Sequence, residues 1–319
     1  MSRVTKNSIK VWPYLDNISN NIITYSSEHL NKSNVVSIDL SSLKTITTSG
    51  AAILLTKLIK TLEDYTCRII RPENKEIDNF LSKIDFYYFI QENLKIETEN
   101  LFESFVIKKE TEEQVFEKNG SNYIMFPIFK LNFDVEKERI GYENFTDWFA
   151  DVLLKKEFDI IKDKRDKLGT VLFEIAKNSQ DHTDNIAFFG LDLLLDNDTQ
   201  GRLSFSFCDL GVGISRNVRD SLDGKDNGLR KDAAKHFSFS DSYQFAFGIG
   251  NTTSKNKKNK GIGMSMIKDA CHYLKMELSI WDARSMLLIP EKITHTELRK
   301  NVYDTGNNVG FYYYGILNF

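Results

Sequence analysis

Proline, cysteine and long apolar runs are all scarce in this sequence of 319 residues. With four prolines and 17 glycines there is no flexible Gly/Ser linker and no low-complexity tail, and no internal repeat is present. The three cysteines, Cys67, Cys208 and Cys271, are odd in number and lie in apolar segments. They read as reduced, buried thiols of a cytosolic protein rather than as a disulfide framework or a metal site. No run reaches the roughly 18 apolar residues of a membrane span, and the opening MSRVTKNSIKVWPYLDNI lacks the apolar core of a signal peptide. The expected location is therefore the cytoplasm, without membrane attachment. Nor does either sign of charge dominate: 42 Lys plus Arg face 45 Asp plus Glu, for a net charge of −3. That balance argues against a polybasic nucleic-acid binder.

What is present is α/β patterning over a length suited to two soluble domains. Val35, Val36, Ile38 and Leu40 form a short apolar strand, followed by a hydroxyl-rich turn. A helix follows with Ala51, Leu54, Leu55, Leu58 and Leu62 on one side. Thr66 to Ile70 is β-prone, and Ile77, Phe80, Leu81 and Ile84 predict a second amphipathic helix. Such alternation predicts helices layered on a sheet. The charged, β-leaning stretch 98–140 reads as connecting strands between a first domain, 1–97, and a second, 141–319.

Three segments of the second region carry chemistry. In LGTVLFEIAKNSQDH, Leu168, Val171, Leu172, Ile175, Ala176 and Ser179 face a core, while Glu174, Asn178 and His182 fall four apart on a neighbouring stripe beside Asp181. An amide oxygen can ligate a hard cation such as Mg²⁺. A carboxylate one turn away can accept a proton from an attacking hydroxyl or water. A solvated helix face has the same spacing. In RLSFSFCDLGVGI, the period of two puts Asp209 in phase with Leu203, Phe205 and Phe207, on the core face, where a carboxylate needs donors. An adenine amino group is one such donor. Gly211 and Gly213 follow, allowing close backbone approach to a ligand, although a strand-end Asp with a glycine turn is also common. In NKKNKGIGMSMIKDACHYLK, Gly261 and Gly263 precede a helix, leaving N–H groups and the positive end of its dipole suited to phosphate. Lys255, Lys257, Lys258 and Lys260 lie just upstream.

Glu174-x3-Asn178, Asp209-x-Gly211-x-Gly213 and Gly261-x-Gly263 resemble the N, G1 and G2 boxes of the GHKL ATPases, in order, spacing and context. The resemblance implies a Bergerat-fold α/β sandwich over about 141–319, with ATP between helices and a mixed sheet. It implies Mg²⁺ on Asn178, the adenine on Asp209, a pocket lined by Gly211 and Gly213, and phosphates at Gly261 and Gly263. Asp181, His182, Ile214, Ile262 and Met264 complete the implied site, and 215–260 would be a mobile lid with Thr252 and Thr253 near its end. Glu174 stands where sensor histidine kinases of the superfamily usually have Asn, and no His-Glu-Leu-x-x-Pro box surrounds any histidine. The implied catalytic base is thus that of a water-activating ATPase or an anti-sigma serine kinase.

NVVSIDLSSLKTITTSGAAILLTKLIKTL resembles a STAS domain of the anti-sigma-factor-antagonist kind. Its turn Thr47-Thr48-Ser49-Gly50 puts Ser49 at the family's phosphoacceptor position, with Thr47 where the family has Asp. The same hydroxyls equally suit a plain helix N-cap. Together the resemblances imply a regulatory protein that binds Mg-ATP, hydrolyses it or phosphorylates a serine, and meets protein partners through the STAS-like domain, with a homodimer as in many GHKL proteins. The alternative is a nucleotide-gated binding module without catalysis.

Overall fold

Strand and helix alternate through the first third, as the apolar spacing predicts. The computed structural model describes residues 8–11, 14–15, 23–24, 35–97, 114–118, 121–132, 138–182, 186–197, 199–223, 237–248, 262–282, 285–289, 302–304 and 311–319. In chain order come β1 (Ser8–Val11), β2 (Tyr14–Leu15), β3 (Ile23–Thr24), β4 (Val36–Asp39), β5 (Thr45–Ile46), α1 (Thr48–Leu62), β6 (Thr66–Ile70), α2 (Lys75–Lys83), α3 (Phe86–Asn93) and β7 (Lys95–Ile96). Five of these strands form a sheet of order β3-β1-β4-β6-β7, parallel except for β3. The short β2 and β5 pair with each other. Parallel neighbours require a crossover between them, and α1 supplies it from β4 to β6. Thr47 caps α1, its hydroxyl accepting the Gly50 N–H at 3.1 Å. The apolar stripe of α1 is fully buried at Leu54, Leu55, Leu58 and Leu62, and each such side chain stabilises the fold by about 1.5–3 kcal/mol.

The stretch expected to connect two domains contains β8 (Gln114–Lys118), β9 (Ser121–Met125) and β10 (Phe129–Asn132). These strands build the second sheet rather than bridging to it, because β9 and β10 both pair with β11 (Ile186–Asn197). Then follow β12 (Gln200–Asp209), β13 (Glu277–Asp282), β14 (Ser285–Ile289), β15 (Val302–Asp304) and β16 (Phe311–Asn318). The nine-stranded sheet runs β15-β14-β13-β16-β12-β11-β9-β8, with β10 also on β11. The resemblance implied a mixed sheet, but every pair in it among the described residues is antiparallel. Short connections such as β11 to β12 and β13 to β14 permit only that direction. Its helices are α4 (Glu138–Leu153), a 3-10 segment (Lys156–Lys164), α5 (Arg165–His182), α6 (Ile214–Asp223), α7 (Phe239–Ala246) and α8 (Gly263–Leu274). None of the described helices is long and apolar enough to cross a membrane.

Both faces of the large sheet are covered. On one, Phe189, Phe205, Phe207, Ile280 and Tyr313 pack against α4, α5 and α8 through Phe145, Phe149, Leu172, Ile175, Ile267 and Leu274. On the other, Phe188, Cys208, Trp281 and Tyr312 share a core with α1, α3 and the small sheet. Phe89 of α3 meets Phe188 edge to face at 5.5 Å. Where α1 begins, the sheet offers Gly190, Ser204 and Ser206 in place of large side chains, so helix and strand backbones touch. A Cβ on Gly190 would lie 2.6 Å from the Thr48 carbonyl oxygen. The three cysteines are free and buried, Cys67 and Cys208 in the core on the α1 face and Cys271 in the other, and burial pushes the Cys67 and Cys271 thiols up to about 12.

Candidate functional site

Helix α5 carries the first polar segment and packs along α8, which carries the third. A Cβ on Gly263, the first residue of α8, would lie 2.7 Å from Glu174 Oε2 and 3.3 Å from Asn178 Oδ1. Two segments more than eighty residues apart therefore converge on one point, and glycine there leaves room for the carboxylate and the amide. Asn178 Nδ2 donates to Met264 Sδ at 3.3 Å, so the amide oxygen is the end that can ligate. The N-cap of α8 is Ile262, which is exposed and supplies no side-chain cap. The first-turn N–H groups of α8 thus lack both an intrahelical acceptor and a side-chain cap from Ile262.

The second segment lies beside the first. Asp209, at the end of β12, is only 4% exposed. Ser179 Oγ donates to its Oδ2 at 2.9 Å, and the Gly211 N–H donates to its Oδ1 at 2.8 Å. Burial raises its carboxyl to about 6, against the pull of those two hydrogen bonds and of the Lys60 ammonium. An ionised carboxylate offers about four acceptor positions, and the described residues fill two of Asp209's. The loop then turns through Gly213 at φ +83°, in the left-handed region, where a side chain would also run into the Asp282 carboxylate. Asp282 Oδ2 in turn accepts the Ser215 N–H at 2.8 Å, tying the start of α6 to the end of β13. Beneath the site lies Tyr313, whose phenol is pushed up by burial and by Asp209 and Asp282, so it stays protonated.

Of the remaining sequence-predicted residues, Asp181 lies half-buried on α5, and Ile214, the first residue of α6, packs against both the large core and Val218. His182 ends α5, but its side chain lies outside the described residues, as do Thr252, Thr253 and Gly261. Of the expected lid, α6 and α7 are described, and α7 opens with a capping box between Ser238 and Asp241.

Ser49 is placed elsewhere. It is the second residue of α1 and 1% exposed, and the N-cap is Thr47. Its Oγ donates at 2.5 Å to Asp192 Oδ2 on β11, and its N–H donates to the same oxygen at 2.9 Å. The Thr48 N–H donates to Asp192 Oδ1 at 2.7 Å, and the Tyr123 hydroxyl donates to that oxygen as well. This cluster is on the α1 face of the sheet, whereas Glu174 and Asn178 are on the α5 face. Ser49 is thus buried on the side of the sheet opposite Glu174.

Sequence reasoning missed three residues here: Asp192, Asp282 and Lys60. Asp282 shares its strand phase with Leu278 and Ile280, the signal that marked Asp209. Lys60, in the last turn of α1, donates to the Gly211 carbonyl at 2.6 Å, and no local pattern marks it.

Mg²⁺ favours oxygen donors and takes few of them from protein, with substrate phosphates supplying others. The Asn178 amide oxygen at Gly263 fits that demand, with the Glu174 carboxylate beside it. Among the described residues, no group of three His, Cys, Asp or Glu could hold a metal without such help. Compared with known proteins, the chain matches no family model and no curated protein.

Proposed function

We propose that the chain is an ATP-binding regulatory protein of the GHKL type, with a STAS-like region docked on the back of its ATPase sheet. The observation that carries the reading is the convergence of Glu174 and Asn178 on Gly263 at the uncapped start of α8. Asp209, buried with acceptor capacity to spare, receives the adenine amino group. The glycine backbone between Asp209 and Gly213 lets the base approach. The N–H groups that open α8 receive the phosphates, a role for which the helix dipole suits them. Asn178 would hold Mg²⁺, which when bound neutralises phosphate charge. Glu174 takes the proton of an attacking water as its oxygen bonds to the γ-phosphorus and the bond to the bridging oxygen breaks, releasing ADP and phosphate. Water is favoured over Ser49 as the acceptor because Ser49 is buried on the opposite face.

Calorimetric titration with Mg-ATP tests this, followed by assay of released phosphate. The wild type binds, Asp209→Asn loses binding at least thirty-fold, and Glu174→Ala binds but releases no phosphate. A wild type that shows no saturable binding overturns the reading. Unchanged phosphate release in Glu174→Ala removes that residue as the base.

A further inference from the structure

We propose that α1 links docking of the N-terminal region to the shape of the nucleotide loop, with Lys60 as the positioning residue that holds Gly211. This rests on the nucleotide reading above and assigns a regulator to that site. Helix α1 is bonded to the large sheet at both ends. At its start, the Thr48 and Ser49 N–H groups and the Ser49 hydroxyl meet Asp192, and Ser206 Oγ donates to the Ser49 carbonyl at 2.9 Å. Eleven residues later, about 16 Å along the axis at 1.5 Å per residue, Lys60 Nζ reaches the Gly211 carbonyl at 2.6 Å. Between them Leu54, Leu55 and Leu58 are fully buried, so one continuous, packed helix joins the two contacts.

Gly211 needs such a hold. Glycine has the widest backbone freedom of any residue, yet this peptide must keep its N–H on Asp209 Oδ1 for the carboxylate to face a ligand. With its N–H taken by Asp209 and its carbonyl by Lys60, Gly211 is fixed from both sides. The Lys60 ammonium is half-buried and also faces the carboxylates of Asp209 and Asp282. Without Lys60 these two buried acids lose a neighbouring cation and the loop loses its anchor. Asp192 itself is remote from the pocket. It lies five residues along β11 from Ala187, the partner of Asp209, which is about 17 Å at ~3.4 Å per residue. Whatever loosens the start of α1 reaches the loop through the helix and Lys60. By linkage, a ligand that orders the loop tightens the docking equally.

The test is a double-mutant cycle on the full chain with Ser49→Ala, which loosens the far end, and Lys60→Met, which cuts the near one. Two readouts are taken: Mg-ATP affinity by calorimetry, and amide exchange of the peptide covering residues 209–215 without nucleotide. Lys60→Met should weaken Mg-ATP about ten-fold and Lys60→Arg should restore most of it. Ser49→Ala should weaken binding about three-fold and speed exchange of the loop in the wild-type background, with no further effect in Lys60→Met. Wild-type affinity and exchange in a folded Lys60→Met, or equal effects of Ser49→Ala in both backgrounds, overturns the proposal. If the wild type binds no Mg-ATP, the nucleotide reading falls and the nucleotide-free exchange cycle alone decides the coupling.

Discussion

Both faces of the large sheet bury aspartates, and Asp192 on one is treated differently from Asp209 on the other. Asp192, on the α1 face, takes four donors: two helix N–H groups, the Ser49 hydroxyl and the Tyr123 hydroxyl. Its acceptor capacity is full, and it sits at the positive end of a helix. Asp209, on the α5 face, takes two, and burial lifts its carboxyl to about 6. A saturated carboxylate holds structure together. One left short of donors destabilises the empty protein and is therefore ready for a ligand that brings a donor. The bonding around each acid, rather than burial alone, separates the clamp from the pocket.

Substitutions should expose that difference in the sign of their effect. Asp192→Ala removes the carboxylate from four donors, leaving the Ser49 hydroxyl only the Gly190 and Ser204 carbonyls at 3.4 Å, and we expect a loss of about 4 kcal/mol by urea unfolding. Gly190→Ala attacks the same face sterically, since its Cβ would press on the α1 backbone at Thr48 and Ser49. Backbone there cannot yield as a side chain does, so a loss of about 3 kcal/mol is expected, with faster amide exchange at the start of α1.

Asp209→Asn should act in the opposite direction, stabilising the protein by about 1–2 kcal/mol at neutral pH while weakening the proposed Mg-ATP binding at least thirty-fold. The pH dependence follows from the raised carboxyl. Between about pH 4 and pH 6 the native state holds this proton and the unfolded chain does not, so stability falls as pH rises through that window. The penalty is complete above about pH 6. The gap between Asp209→Asn and wild type should open between pH 4.5 and 7 in thermal unfolding. If Asp192→Ala and Asp209→Asn shift stability in the same direction, the contrast between the faces is wrong. The smallest effect on stability is expected for Gly263→Ala, below about 1 kcal/mol. Among the described residues, the nearest atoms its methyl meets are at the ends of the Glu174 and Asn178 side chains. The proposed Mg-ATP binding should nevertheless fall, because the methyl displaces those two oxygens.

These contrasts also mark what could be read from the chain. The strand phase of Leu203, Phe205 and Phe207 exposes Asp209 as an acid on a core face, and the structure buries it there. The same phase in Leu278, Ile280 and Asp282 marks a second acid on that core face. Asp192 is hidden for a physical reason: β11 is buried on both faces through its first eight positions but one, so IAFFGLDLLL reads as a continuous apolar run without alternation. The β-leaning residues near 114–132 were visible, but their place in the large sheet depends on pairing with β11, sixty or so residues away.

Ser49 shows the limit most directly. A hydroxyl-rich helix start is legible, and Thr47 is indeed a cap, but local pattern cannot say what covers the helix that follows. Lys60 has the same difficulty, since a lysine in a last helical turn ordinarily meets solvent.

By itself the sequence determined the helix that holds Glu174 and Asn178 one turn apart, the strand that turns Asp209 inward, and the glycines around them. Those features follow from backbone periods of 3.6 and 2, which are properties of neighbouring residues. Only the tertiary structure decided that Asp192 would be saturated and Ser49 hidden. The donors to Asp192 come from up to 144 positions away in the chain. How well a buried acid is satisfied depends on which distant groups the fold brings within hydrogen-bond reach.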